Sequence, residues 1–265
     1  MAVKQIVEKK TNSDFDLPKE LTTPVTNMES CILFGLPKCG KTTLLSKLPN
    51  CLIIDTENGT NKISALVKKL PENKGPVSRM KWLDEFADYL IAEGKPYDYV
   101  AIDTFTEVNE MSEWSGTFRY MHSVQGKKFN REEDEVTLLK PDNPDYQSVH
   151  TIGQGFGYRW SREDTLRVFE KYMRVAKKCV FFVCHVEDKF LSMRENTEVV
   201  APKQLALTGK LRDILPRKVD GIGYVYNEDG VIKINFTGSE ERVGGNRCAH
   251  LQGYNDVADW DKIFI

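Results

Sequence analysis

No stretch of this 265-residue chain approaches the roughly 20 consecutive apolar residues that a membrane-spanning helix requires. Its N-terminus, MAVKQIVEKKTNSDFD, holds no apolar segment of signal-peptide type. An intracellular, cytoplasmic protein with no membrane partner is expected. The six cysteines, at 31, 39, 51, 179, 184 and 248, form no CxxC pair, and four lie beside or inside apolar runs. That distribution speaks for buried thiols and against a disulfide framework or zinc site. Charge of one sign is missing too: 37 Lys and Arg face 39 Asp and Glu, a net −2. No global basic field draws the chain onto nucleic acid, so any such contact has to be local. There is no internal repeat and no low-complexity tract. What is present, 40% hydrophobic and 29% charged residues, suits a globular protein with a sizeable core. The length fits one α/β domain with elaborations, two at most.

Residues 1–27 are polar and broken by Pro18 and Pro24, which predicts an extended lead-in or short edge element before a domain over 28–265. Cys31-Ile32-Leu33-Phe34 is a short apolar run ending at Gly35. Helix formers follow from Lys41 to Leu48 until Pro49, so the order is strand, Gly-rich turn, helix. A second strand, Cys51 to Ile54, runs into Asp55-Thr56-Glu57 and an Asn58-Gly59 turn. Residues 80–93 place Trp82, Leu83, Phe86, Leu90 and Ile91 on one helical face. A third strand, Tyr97 to Ile102, ends at Asp103. Ser161, followed by Glu163 and Asp164, caps a helix through Lys178, and the apolar run Cys179 to Cys184 is a fourth strand ending at His185. Such alternation predicts a mainly parallel sheet flanked by helices. Residues 219–226 and 231–236, around Asn227-Glu228-Asp229-Gly230, predict a C-terminal antiparallel β extension. Residues 105–160 read as a long, polar, irregular insertion.

The most specific motif is Gly35-Leu36-Pro37-Lys38-Cys39-Gly40-Lys41-Thr42, which fits G-x-x-x-x-G-K-[ST] between a strand and a helix. Its glycines let successive backbone N–H groups curl around a phosphate, and the helix N-terminus adds its dipole. Lys41 then reaches the terminal phosphates, Thr42 helps hold Mg²⁺, and Thr43 extends the phosphate contacts. Asp103 either anchors the same metal or caps the helix after its strand. Glu57, beyond the second strand at the sheet's carboxyl edge, is the candidate to activate water, with Asp55 its nearest competitor. His185 either reports the γ-phosphate or serves structure.

These features occur in the order seen in RecA-like P-loop ATPases, and residues 29–261 resemble the phage-encoded, core-only branch of that group, some of whose members are single-strand annealing recombinases. The resemblance implies ATP and Mg²⁺ as ligands. It implies Glu57 of IIDTE as catalytic glutamate, Asp103 of AIDT as metal ligand with Thr104 accessory, and His185 of VFFVCH as γ-phosphate sensor. It further implies a homo-oligomer in which Lys210, with Arg247 behind it, reaches a neighbour's nucleotide. Single-stranded DNA and a single-strand-binding protein become the expected partners.

Two windows carry cations among aromatics, the arrangement that holds single strands without sequence preference. They are Thr117 to Arg131, with Arg119, Lys127, Lys128 and Arg131 beside Phe118, Tyr120 and Phe129, and the cluster Tyr158-Arg159-Trp160. The acids Glu132 to Glu135 follow the first window, so an ordinary mixed-charge insertion stays open. The expected function is ATP hydrolysis coupled to single-stranded DNA in phage recombination, replication or repair. The alternatives are a nucleotide-gated adaptor or loader that hardly hydrolyses, and a small-molecule kinase.

Overall fold

The computed structural model describes residues 25–126, 148–152, 155–187, 190–192, 198–200, 203–239, 242–251, 259–260 and 263–264. The lead-in over 1–24 and the cations Lys127, Lys128 and Arg131 lie outside the described residues.

A parallel sheet forms the centre. Strands β1 (Ser30–Gly35), β2 (Cys51–Asp55) and β4 (Tyr99–Asp103) are buried along their whole length, as is the first part of β5 (Cys179–Glu187). This explains their unbroken apolar runs: a parallel strand covered on both faces has no polar side to show. The edge strand β3 (Leu66–Lys69) is largely exposed and half lysine, the charged edge that resists further pairing. The same composition hides it from a reading based on apolar runs. Strand β6 (Phe190–Ser192) pairs with β7 (Glu198–Val200), and β8 (Gln204–Leu205) pairs with the end of β5. β9 (Gly221–Glu228) lies parallel to β1, and β10 (Val231–Asn235) returns antiparallel to it, with β11 (Gly245–Asn246) on β9's other end. The order across the main sheet is β10-β9-β1-β5-β4-β2-β3.

Helix α1 spans Lys41–Leu45, shorter than the predicted stretch to Leu48. α2, Pro76–Ala92, buries Leu83 and Leu90, while Ile91, expected on the same face, is 38% exposed. α3, Phe105–Met121, replaces the first part of the expected irregular insertion. Its many buried small polar residues, among them Asn109, Ser112, Ser115 and Thr117, leave no apolar stripe to recognise. Asn109, Ser112 and Ser115 face α4, Tyr158–Tyr172, which starts three residues before the predicted cap. Ser161 therefore sits inside that helix, where its hydroxyl meets His150 Nε2 at 2.9 Å instead of capping. A last helix, α5 (Leu211–Lys218), went unrecognised because Pro216 stands within it.

The two faces of the sheet close separate cores. Ile32, Phe34, Ile54, Ile102 and Phe182 pack with Phe105 and Phe169 under α2, α3 and α4. Leu33, Ile53, Ala101 and Phe181 pack with Leu44, Leu45 and Trp260 on the α1 side. Each large side chain so buried contributes about 1.5–3 kcal/mol. The polar seam between α3 and α4 is centred on Asp164, wholly buried, which accepts from Ser115 Oγ at 2.7 Å, Arg167 at 2.9 Å and Arg119. Replacing Asp164 by Ala strands these donors, so denaturant unfolding of Asp164→Ala is expected to show a loss of about 2–4 kcal/mol.

Candidate functional site

β1 delivers the chain to the sheet edge at Gly35, and residues 36–40 turn back into α1. Lys38 at φ 62° and Gly40 at φ 102° hold left-handed backbone, which curls the loop. Glycine is needed at both ends for close approach. A Cβ on Gly35 would fall 2.2 Å from the Val225 carbonyl oxygen, and one on Gly40 would fall 2.4 Å from Ile232 Cδ1. Leu36, Pro37 and Lys38 are exposed, as is Thr43, while Cys39 is buried and its thiol is pushed up by burial. Lys41 is 6% exposed. Its ammonium donates to the carbonyls of Gly35 at 2.8 Å and Leu36 at 2.9 Å, with no carboxylate partner among the described residues. Because α1 has only five residues, little macrodipole is available, and loop amides and Lys41 supply the positive character.

Thr42 Oγ1 donates to Asp103 Oδ2 at 2.6 Å, joining two elements 61 residues apart. Asp103 does not cap α3; that bond comes from Thr104, whose hydroxyl accepts from Glu107 N at 3.3 Å. Burial raises the Asp103 carboxyl above the ordinary carboxylate range, opposed by the Thr42 hydrogen bond and the Lys41 charge.

In-register pairing of β2 with β4 sets Asp55 opposite Asp103. The residues just beyond therefore meet: Thr104 N–H donates to Thr56 Oγ1 at 2.7 Å, and Thr104 Oγ1 donates to Glu57 Oε1. Asp55 itself is 2% exposed and fully employed, accepting from the backbone N–H groups of Glu57, Gly59 and Thr60 and from the Thr60 hydroxyl. This leaves Glu57 as the projecting carboxylate. β5 lies directly beside β1, with His185 level with Gly35. His185 Nε2 stands 3.0 Å from Glu57 Oε1, its backbone N–H donates to Thr106 Oγ1, and its buried Nδ1 has no partner among the described residues. Lys41, Thr42, Asp103, Glu57 and His185 are thus brought to one edge of the sheet.

Two other predicted residues lie elsewhere. Lys210 heads α5 and lines a cavity of about 370 Å³ with Tyr158, Arg162 and Thr208. Arg247 binds the Arg217 carbonyl at 2.7 Å beside Asp220, at the opposite edge of the sheet where β1 and β9 begin. Of the basic–aromatic candidates, Arg119 is spent on Asp164 and on the Trp160 ring, 5.3 Å away, and Arg159 pairs with Glu163 at 2.6 Å. Tyr158 is 38% exposed, and Arg162 has no ion-pair partner among the described residues. Sequence reasoning missed the supporting contacts of Thr56 and Thr106 and the wall that Ile232 makes on Gly40. No local pattern announces these, since each depends on strand register.

The donor set fits a magnesium–triphosphate ligand. A hydroxyl and a carboxylate oxygen converge where a hard cation that keeps several waters would sit. The adjacent buried ammonium, held by two neutral carbonyls and the Cys39 sulfur, is matched to anionic oxygens.

The profile of the family described as AAA domain matches residues 28–248. No curated protein matches the chain. Among solved structures, the chain is similar to an ATPase from the type III secretion system of pathogenic bacteria, at 12% identity and a TM-score of 0.40. That alignment covers 76% of this chain and 53% of the other, so the chain spans about half the length of the structure it matches. The family profile covers most of the sequence, and the sheet it covers has the RecA-like arrangement, parallel with an antiparallel pair toward the C-terminus. The chain belongs to the AAA domain family of P-loop ATPases.

Proposed function

We propose that the chain binds magnesium–ATP on the 35–43 loop, hydrolyses it with Glu57 as the water-activating base, and couples this turnover to single-stranded DNA. The observation that carries the catalytic part is the Thr42–Asp103 contact beside a buried Lys41, with Glu57 held close by. Lys41 exchanges the Gly35 and Leu36 carbonyls for phosphate oxygens. Thr42 and Asp103 would hold magnesium, which when bound shares the negative charge of the triphosphate. Glu57 Oε takes a proton as water attacks the terminal phosphorus, and ADP leaves as the bond to its oxygen breaks. Thr104 and His185 hold that carboxylate in place, and His185 is suited to report the terminal phosphate because it touches Glu57 at the level of Gly35.

Support for the DNA part comes from the cavity beneath α4. Tyr158 is part-exposed there, one face of its ring stacked on His150 and the other available, and Arg162 and Lys210 have no ion-pair partners among the described residues. An aromatic face beside free cations suits a stacked base and its phosphate. Sharing that cavity favours a nucleic-acid contact for Lys210 over a finger for a neighbouring copy's nucleotide. A homo-oligomer and a single-strand-binding partner, like the setting in phage recombination, replication or repair, rest on the sequence resemblance alone.

Lys41→Ala is expected to abolish nucleotide affinity. Glu57→Gln is expected to keep magnesium–ATP affinity while turnover falls about 10²–10⁴-fold, read by phosphate release; unchanged turnover would remove Glu57 from the base role. Addition of single-stranded DNA is expected to raise the rate. Tyr158→Ala combined with Arg162→Ala should weaken DNA binding about tenfold or more, by anisotropy of labelled oligonucleotide, with the DNA-free rate intact. For Lys210→Ala, a DNA-free rate that collapses would restore the finger role, whereas loss of DNA stimulation alone supports the nucleic-acid contact.

A further inference from the structure

The reactive end of the site is fixed by its charged groups. Asp103 ends β4, Glu57 follows β2 by two residues and His185 lies in β5, and all three strands are on one side of β1 in the sheet. A triphosphate whose terminal phosphate sat there and whose chain passed Lys41 would leave the loop on the other side of β1, where the sheet continues as β9 and β10. β9 does not stop level with the loop. Phe34 pairs with Tyr224, so Gly35 stands beside Val225, and Tyr226, Asn227 and Glu228 rise above the edge before the turn.

Alternation gives the two faces of this hairpin different surroundings. Val225 and Ile234 point to the α1 side and pack with Leu44 and Leu45. Asn227 and Ile232, the next cross-strand pair on that face, continue it upward past the loop. Ile232 lies against Gly40 and is only partly buried. Asn227 is exposed; its side-chain oxygen accepts from Gly230 N–H at 3.0 Å, and its amide N–H groups have no partner among the described residues. Thr43, on the first turn of α1, is exposed.

We propose that Ile232 and Asn227 form the nucleobase subsite and select adenine. Ile232 offers an apolar surface for one face of the ring, and Asn227 reads its edge. A side-chain amide carries one donor face and one acceptor, which matches the N7 acceptor and N6 amino donor of adenine; guanine presents two acceptors at the corresponding positions. The Asn227 oxygen has a second lone pair, so its bond to Gly230 does not exhaust it. The inference rests on the loop being a triphosphate site and adds what holds the other end of the ligand.

Calorimetric titration of the full chain with the magnesium complexes of ATP, GTP and inorganic tripolyphosphate tests it. The unaltered protein should bind ATP about tenfold more tightly than GTP. Asn227→Ala, at an exposed position near the end of β9 that leaves the core alone, should bring ATP to the GTP level without changing tripolyphosphate. Ile232→Ala should weaken both nucleotides about tenfold relative to tripolyphosphate. Equal losses for all three ligands in Ile232→Ala would reduce that residue to support of the loop, and an unchanged ATP-to-GTP ratio in Asn227→Ala would overturn the edge-reading role. Failure of the unaltered protein to bind tripolyphosphate would instead overturn the triphosphate site beneath both.

Discussion

A lysine ammonium and an aspartate carboxylate are both taken out of water at the same sheet edge, and they form no ion pair with each other. Lys41 rests on two neutral carbonyls, and Asp103 rests on the hydroxyl of Thr42. Burial of a charge without its counter-charge is costly, and it already shows in the raised proton affinity of Asp103. An anion for the lysine and a cation for the carboxylate would relieve both at once. A magnesium–triphosphate complex carries the two in one ligand.

Strand register creates this edge. β1 aligns with β5 so that Gly35 and His185 end together, and β2 aligns with β4 so that Asp55 and Asp103 end together. A slip of one residue in either pair would turn Glu57 or His185 to the other face of the sheet. The apolar strands and the two cores that clamp them therefore do more than stabilise the fold. They set the heights at which a hydroxyl, two carboxylates and an imidazole leave the sheet. Within the edge, the division of labour is local: Asp55 turns inward to fasten the 57–60 loop, which leaves Glu57 to project toward Thr104 and His185.

The four buried parallel strands were legible because burial on both faces writes itself as unbroken apolar runs, and the 35–42 loop was legible because its glycines and lysine are consecutive. α3 was not, because Asn109, Ser112 and Ser115 are buried by hydrogen bonding to α4 and not by apolar contact. α4 began earlier than Ser161 suggested because that hydroxyl is used by His150, a partner eleven residues away that capping rules do not consider. The same limit hid the Thr56–Thr104 bond and the Ile232 wall. Residue types can nominate a nucleophile's base or a metal ligand, but which of two acids such as Asp55 and Glu57 projects is decided by tertiary hydrogen bonds.

The most direct measurement is equilibrium titration of the folded protein with ATP in the presence and absence of magnesium. The account predicts saturable binding that tightens when magnesium is added, since Lys41 takes the phosphate charge while Thr42 and Asp103 take the metal. A well-folded sample that binds no nucleoside triphosphate under either condition would contradict it.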